Sequence, residues 1–237
     1  SGCITAYFLL KKDRRGWESH MFDLGLVIAF AGIVGGRLWD VFFFDWEYYH
    51  NHLLEIPYIW QGGMAIQGGI IFACIAAYFY LKKHQIPVLP FADTVTPGII
   101  LGQAIGRIAN FMNGDAFGHP TGQDFGLLYP DTTLAYHTYG AQPLWPAEVW
   151  ECQGDLLIFV LLLWYGCKTR AEGTTFCLYI MFYSLLRFFL ENYRGDYGTL
   201  ALGLKSAQLT SLAAFVGAFI LFLYFHFKHK SKSGISE

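Results

Sequence analysis

The chain has 237 residues, of which 54% are hydrophobic, 19% aromatic and only 14% charged, and its mean hydropathy is +0.36. A soluble domain carries about 25% charged residues, so this shortage excludes a disordered chain and argues against a water-soluble enzyme. A net charge of −2 offers nucleic acid no footing and five cysteines are too few for a disulfide scaffold, which leaves an integral membrane protein.

Residues 1–10 are apolar but too short to cross a bilayer, for which a helix needs about 20 residues. They read as the last half of a first helix whose beginning is missing. No basic stretch precedes them and no small-residue cleavage site follows, so they are not a secretory signal. Full-length spans are expected at 21–44, 63–81, 92–113, 147–167, 174–191 and 206–227, which makes seven helices with the first restored. The cysteines (Cys3, Cys74, Cys152, Cys167 and Cys177) fall in or beside these helices and read as structural thiols.

The basic residues orient the spans. Lys11, Lys12, Arg14, Arg15, Lys82, Lys83, Lys168, Arg170, Lys228, Lys230 and Lys232 fall on one side, and only Arg194 and Lys205 on the other. The first side is cytoplasmic by the positive-inside rule. The outer face then carries segments 45–62, 114–146 and 192–205. The longest, 114–146, is rich in Gly, Pro, Thr and Tyr and suits a small extracytoplasmic cap with a short hairpin. The fold expected is therefore an all-α integral membrane protein: one transmembrane domain over residues 1–237, a seven-helix bundle with the cap between helices four and five. His50 and His52, two apart in an outer loop, read as solvated rather than metal-bound. No lysine lies mid-span to form a Schiff base, and no metal or cofactor motif is present.

Ionisable residues within spans are costly, so each suggests function. Arg107 and Asn110 share a helix face near an outer end, in a span whose Gly98, Gly102 and Gly106 repeat every four residues and would admit another helix closely. Arg187, Glu191 and Arg194 stand at i, i+4 and i+7, one polar stripe on an apolar helix. Such a pair can be purely structural, but two arginine-bearing spans near one face suit a phosphate, which guanidinium binds bidentately. Arg37 lies near another outer helix end, where snorkelling is an equal reading. Two glycine pairs, Gly62-Gly63 and Gly68-Gly69, bracket Gln67 at a helix start, where close backbone approach and an anion are both favoured.

The run Gly106-Arg107-Ile-Ala-Asn110-Phe-Met-Asn113-Gly114-Asp115-Ala-Phe-Gly118 resembles the G-R-x-x-N-F-x-N-G-E-x-x-G motif of prolipoprotein diacylglyceryl transferases. Gly35-Gly36-Arg37, Trp60 through Met64, Pro146 through Glu151 and Arg187 through Asp196 match that family's other motifs in order. The resemblance implies a seven-helix enzyme of the bacterial plasma (inner) membrane that works without a cofactor, with its active site on the extracytoplasmic side. Such an enzyme moves the diacylglyceryl group of phosphatidylglycerol to the lipobox cysteine of a preprolipoprotein signal peptide, and releases glycerol 1-phosphate. Arg107 and Arg187 correspond to its phosphate-handling arginines. Asn110, Gly118, Glu191, Arg194 and Glu151 match positions of the same pocket, and Arg37 and Gln67 are placed at the substrate. Gln67 replaces a histidine proposed in the family as the thiol's base, Asp115 replaces a glutamate, and Trp145 replaces a second histidine. Glutamine takes no proton at working pH, so a carboxylate (Asp115, Glu148 or Glu191) within the arginine field is expected to assist the thiol. Two alternatives remain: a paralogue that binds phospholipid or lipoprotein without chemistry, and a transporter of an anionic solute.

Overall fold

A computed structural model describes residues 2–166, 171–195 and 204–233, with side chains to residue 230. Cys167, Lys168, Arg170 and Asp196 lie outside the described residues. The elements are helical: α1 Gly2–Asp13, α2 Met21–Trp39, α3 Trp46–Tyr49, α4 Ile66–Lys83, α5 Val88–Asn113, α6 Leu134–Tyr139, α7 Ala147–Gly166, α8 Thr174–Leu190 and α9 Ser206–Ser233. Among the described residues there is no strand, only isolated β-bridges. Each of the six full spans expected from the sequence falls on a helix: α2, α4, α5, α7, α8 or α9. Four segments are long and apolar enough to cross a membrane: Trp17–Phe44, Val88–Asn113, Thr174–Tyr193 and Ser206–Lys230. The other two long helices are α4, which ends in Lys82-Lys83, and α7, which holds Glu148, Glu151 and Asp155.

The chain packs as two compact units, residues 10–91 and residues 1–9 with 92–237. In the first, α2 lies along α4 through the buried glycines Gly35, Gly36 and Gly68. A Cβ on Gly35 would strike Phe72 and the Gly68 carbonyl, and one on Gly68 would strike the Gly35 carbonyl. Small residues let the two backbones touch, as in close helix pairs within membranes.

In the second unit, α5, α7 and α8 share an apolar core of Ile100, Ile158 and Leu162, with Leu178, Phe182 and Leu186 packed against it, and α9 lies along α8. The glycine repeat of α5 admits the N-terminal residues: a Cβ on Gly98 would meet the Gly2 carbonyl at 2.6 Å and Ala6 at 2.9 Å. Gly106, by contrast, faces open space. The start of α8 is fixed from α5. Asp93 accepts hydrogen bonds from the backbone N–H of Gly173 (2.6 Å) and Phe176 (2.9 Å), which satisfies donors that a helix start leaves unpaired.

Segment 114–146 folds on a core of its own, Phe117, Ala135 and Leu144, against which Tyr129 and Tyr139 pack. The hairpin expected here is reduced to bridges: Leu127 and Leu144 exchange backbone hydrogen bonds of 2.8 and 2.9 Å, and Pro120 also bridges Leu144. Thr133 caps α6 by accepting from Tyr136 N–H at 3.4 Å.

Candidate functional site

Three guanidinium groups from two helices and a turn meet at one carboxylate. Arg107 stands on α5 less than two turns from its end, Glu151 on α7 just over a turn from its start, and Arg187 in the last turn of α8. Arg107 Nε lies 2.7 Å from Glu151 Oε2, Arg187 Nη1 pairs with Glu151 Oε1, and Arg194 Nη1 reaches Glu151 Oε2 at 3.4 Å. Arg187 also pairs through Nη2 with Glu191 Oε2 at 2.9 Å, the i, i+4 spacing read from the sequence. The anions are closed off, with side-chain exposures of 3% for Glu151 and 0% for Glu191, whereas Arg107 keeps 19% and Arg187 15%. Both arginines therefore stay partly exposed while Glu151, which pairs with them, is buried.

The surrounding residues hold this arrangement. Arg107 Nη1 donates to Asn110 Oδ1 at 3.5 Å, and Asn110 Nδ2 donates to Asp115 Oδ1 at 2.7 Å. The motif residues Arg107, Asn110 and Asp115 thus form a chain that ends on the turn leading into 114–146. Gly118 provides a close backbone approach. It forms a bridge with Arg194, its neighbours donate to one another's carbonyls (His119 N–H to Tyr193 O, 2.9 Å; Gly195 N–H to Phe117 O, 3.2 Å), and a Cβ would strike Trp145.

Arg37 and Gln67 belong to the unit of residues 10–91. Arg37 is buried, and its five donors meet five loop carbonyls: Nε to Ile56 (2.8 Å), Nη1 to Gly62 (2.8 Å) and Gly63 (3.0 Å), Nη2 to Glu55 (3.1 Å) and Tyr58 (3.5 Å). A guanidinium has five N–H donors, so Arg37 ties the loop before α4 rather than snorkelling. Its ring of partners closes with Asp40 at 3.8 Å and the face of Tyr49. Gln67 is exposed in the first turn of α4.

The loop leaves no room at Gly63. Its φ is +72°, which favours glycine, and a Cβ there would lie 2.5 Å from Asp40 Oδ2 and 2.7 Å from Arg37 Nη1. Gly63→Ala is expected to destabilise the chain by about 1–3 kcal/mol, measured as a lowered thermal midpoint in detergent. Gly25→Ala, where nothing lies within 4 Å of the added methyl, is the reference.

Three residues around the cluster, Lys205, Gln208 and Asp155, were not singled out for it in the sequence. Lys205, read only as a helix-margin lysine, lies 4.0 Å from Glu191 Oε1, and Gln208 is buried beside it. Glu148 and Asp155 flank Glu151 at i−3 and i+4, both wholly buried, and among the described residues neither carboxylate has a hydrogen-bond partner from another residue. The acidic stripe 148–151–155 on an apolar helix obeys the spacing rule that revealed Arg187, Glu191 and Arg194. It was the available signal.

Fold and cluster together describe a helical membrane protein with three arginines braced on one buried carboxylate. The family of that description is identified by its sequence model: residues 1–224 match the prolipoprotein diacylglyceryl transferase family, and the chain belongs to it. Among curated proteins, it is similar to the phosphatidylglycerol–prolipoprotein diacylglyceryl transferase of Geobacillus kaustophilus, with 36% identity covering 94% of this chain and 84% of the relative. The enzymes of the same name from Clostridium botulinum (37% identity; 90% and 83% covered) and Staphylococcus saprophyticus (35%; 89% and 77%) are comparably similar. Membership of a transferase family does not favour the anion transporter or the binding-only paralogue weighed above.

Proposed function

We propose that this chain transfers the diacylglyceryl group of phosphatidylglycerol to the lipobox cysteine thiol of a preprolipoprotein, forming a thioether and releasing glycerol 1-phosphate. The observation that carries the reading is the convergence of Arg107, Arg187 and Arg194 on Glu151, with the first two still open to a second anion. Sulfur attacks a glycerol carbon, the carbon–oxygen bond breaks, and its electron pair goes to the phosphate oxygen. Arg107 and Arg187 stabilise that growing charge, and Glu151 and Glu191 hold their planes in place. Asn110, Asp115, Gly118 and Arg194 keep the substrate pocket in shape, while Arg37 orders the loop that leads to Gln67.

Of the carboxylates weighed for the thiol, Asp115 accepts a hydrogen bond from Asn110 and Glu191 is paired with Arg187. Among the described residues Glu148 has no hydrogen-bond partner from another residue on either oxygen, which favours it as the proton acceptor. The chain functions as a seven-helix protein of the bacterial inner membrane, with 114–146 as an extracytoplasmic cap. That orientation is supported by eleven of its sixteen basic residues falling on the opposite side.

The test is direct. Purified protein is incubated with phosphatidylglycerol and a lipobox peptide, and the peptide is weighed by mass spectrometry. A gain of one diacylglyceryl group with matching glycerol phosphate release is expected. An unmodified peptide in the presence of folded protein and both substrates counts against transfer.

A further inference from the structure

The turn that carries Glu191 and Arg194 needs something to hold it. The last carbonyls of a helix have no partner within it, and α8 gives way after Leu190 to a single 3-10 turn, Glu191–Tyr193. These carbonyls are met from the start of α9. Lys205 Nζ donates to the Glu191 carbonyl at 2.9 Å and to the Arg194 carbonyl at 2.6 Å. Gln208 Nε2 donates to the Phe188 carbonyl at 3.3 Å and to Asn192 Oδ1 at 3.0 Å. The two side chains therefore reach four residues across the end of α8 and the turn that follows it, 188, 191, 192 and 194.

The clasp is itself tied down. Gln208 Oε1 accepts from the backbone N–H of Lys205 at 3.0 Å, the reach-back of a third-position side chain to its N-cap residue. Lys205 O in turn accepts from the N–H of Gln208 (3.0 Å) and Leu209 (3.2 Å). An ammonium at the C-terminal end of α8 also suits the helix dipole and the Glu191 carboxylate. Both residues are shielded, Gln208 at 3% exposure and the Lys205 side chain at 14%. A surface lysine would lose rotamer freedom for little gain; this one is held by two carbonyls and an ion pair.

We infer that Lys205 and Gln208 are positioning residues for the transfer reaction: they fix the Glu191–Arg194 turn, and through it the aim of Arg187 and Arg194 at the phosphate. This rests on the arginine reading proposed above. The clasp's contacts are to the turn itself, and its effect reaches the chemistry through where the guanidinium groups stand. Misplacement by about 1 Å can cost 10²-fold in rate, and the effect falls on kcat because the arginines act most strongly on charge that develops in the transition state.

The experiment uses the full chain in detergent or lipid with phosphatidylglycerol and a lipobox peptide, and measures kcat, KM for the lipid and the thermal midpoint of each variant. Lys205→Met is expected to lower kcat roughly 10–100-fold with KM changed less than about threefold. Lys205→Arg, which keeps a cation with several donors, is expected to recover most of the rate. Gln208→Met removes the cap and the Phe188 bond but leaves the ammonium, so a smaller loss in kcat is expected; it serves if Lys205→Met does not fold. Wild-type kcat in Lys205→Met, or a loss that Lys205→Arg does not restore, overturns the inference. Arg187→Ala is measured alongside: if it retains full activity, the arginine reading fails, whereas an inactive Arg187→Ala beside an unimpaired Lys205→Met removes the clasp alone.

Discussion

Alanine in place of Arg107 or Arg187 is expected to lower kcat for diacylglyceryl transfer by about 10²–10³-fold, the usual loss when one donor to a developing oxyanion is removed. The leaving group is a phosphate monoester, so the charge that must be stabilised grows on oxygens that planar guanidinium groups can meet in pairs. Each variant leaves Glu151 with two of its three guanidinium partners, so the carboxylate is not stranded and the fold is expected to persist. Lysine should not restore the rate at either position, because a point charge cannot replace the fork that brings two donors to one anion. Steady-state kinetics with phosphatidylglycerol and a lipobox peptide check this, with circular dichroism confirming helix content. More than about a tenth of wild-type kcat in both alanine variants, against the expected 10²-fold loss, would show that these arginines do not stabilise the leaving group.

The parts of this protein legible in its sequence are those governed by local spacing. Apolar runs marked every long helix, and the i, i+4 relation of Arg187 and Glu191 appears as an ion pair of 2.9 Å. Gly98 could be read as a close-approach position, although not that its partner would be Gly2. What escaped depends on distant segments meeting. Glu151 was visible only as a motif residue, yet it is the hub on which arginines of α5, α8 and the following turn converge. Lys205 is a margin residue by sequence because its partners, the carbonyls of Glu191 and Arg194, are backbone atoms that no side-chain pattern reveals. Arg37 was visible as an arginine near an outer helix end, but not that five carbonyls of one folded loop would be its partners.

Glu148→Gln should separate the proton transfer from the handling of phosphate. The thiol of the acceptor cysteine must lose its proton as the carbon–sulfur bond forms, and a free thiol has a pKa of about 8.5. Glu148 is wholly buried in the first turn of α7, with Glu151 on its own helix and with the charges of Arg194 and Asp115 near enough to act on it. Closure from water keeps a received proton from leaking to solvent until the thioether has formed. Glutamine matches the side chain in shape and removes only its ability to take a proton. A loss of roughly 10²–10⁴-fold in kcat/KM is therefore expected, the range for a general base. The pH profile carries the mechanism: the wild-type rate falls on the acid side as the base is protonated, whereas the variant's rate should climb until the thiol ionises unaided near pH ~8.5. A peptide bearing selenocysteine, whose selenol is already ionised at neutral pH, needs no base, so it should recover most of the variant's lost rate. Equal losses with cysteine and selenocysteine peptides would make Glu148 a packing residue and return the proton to another acceptor.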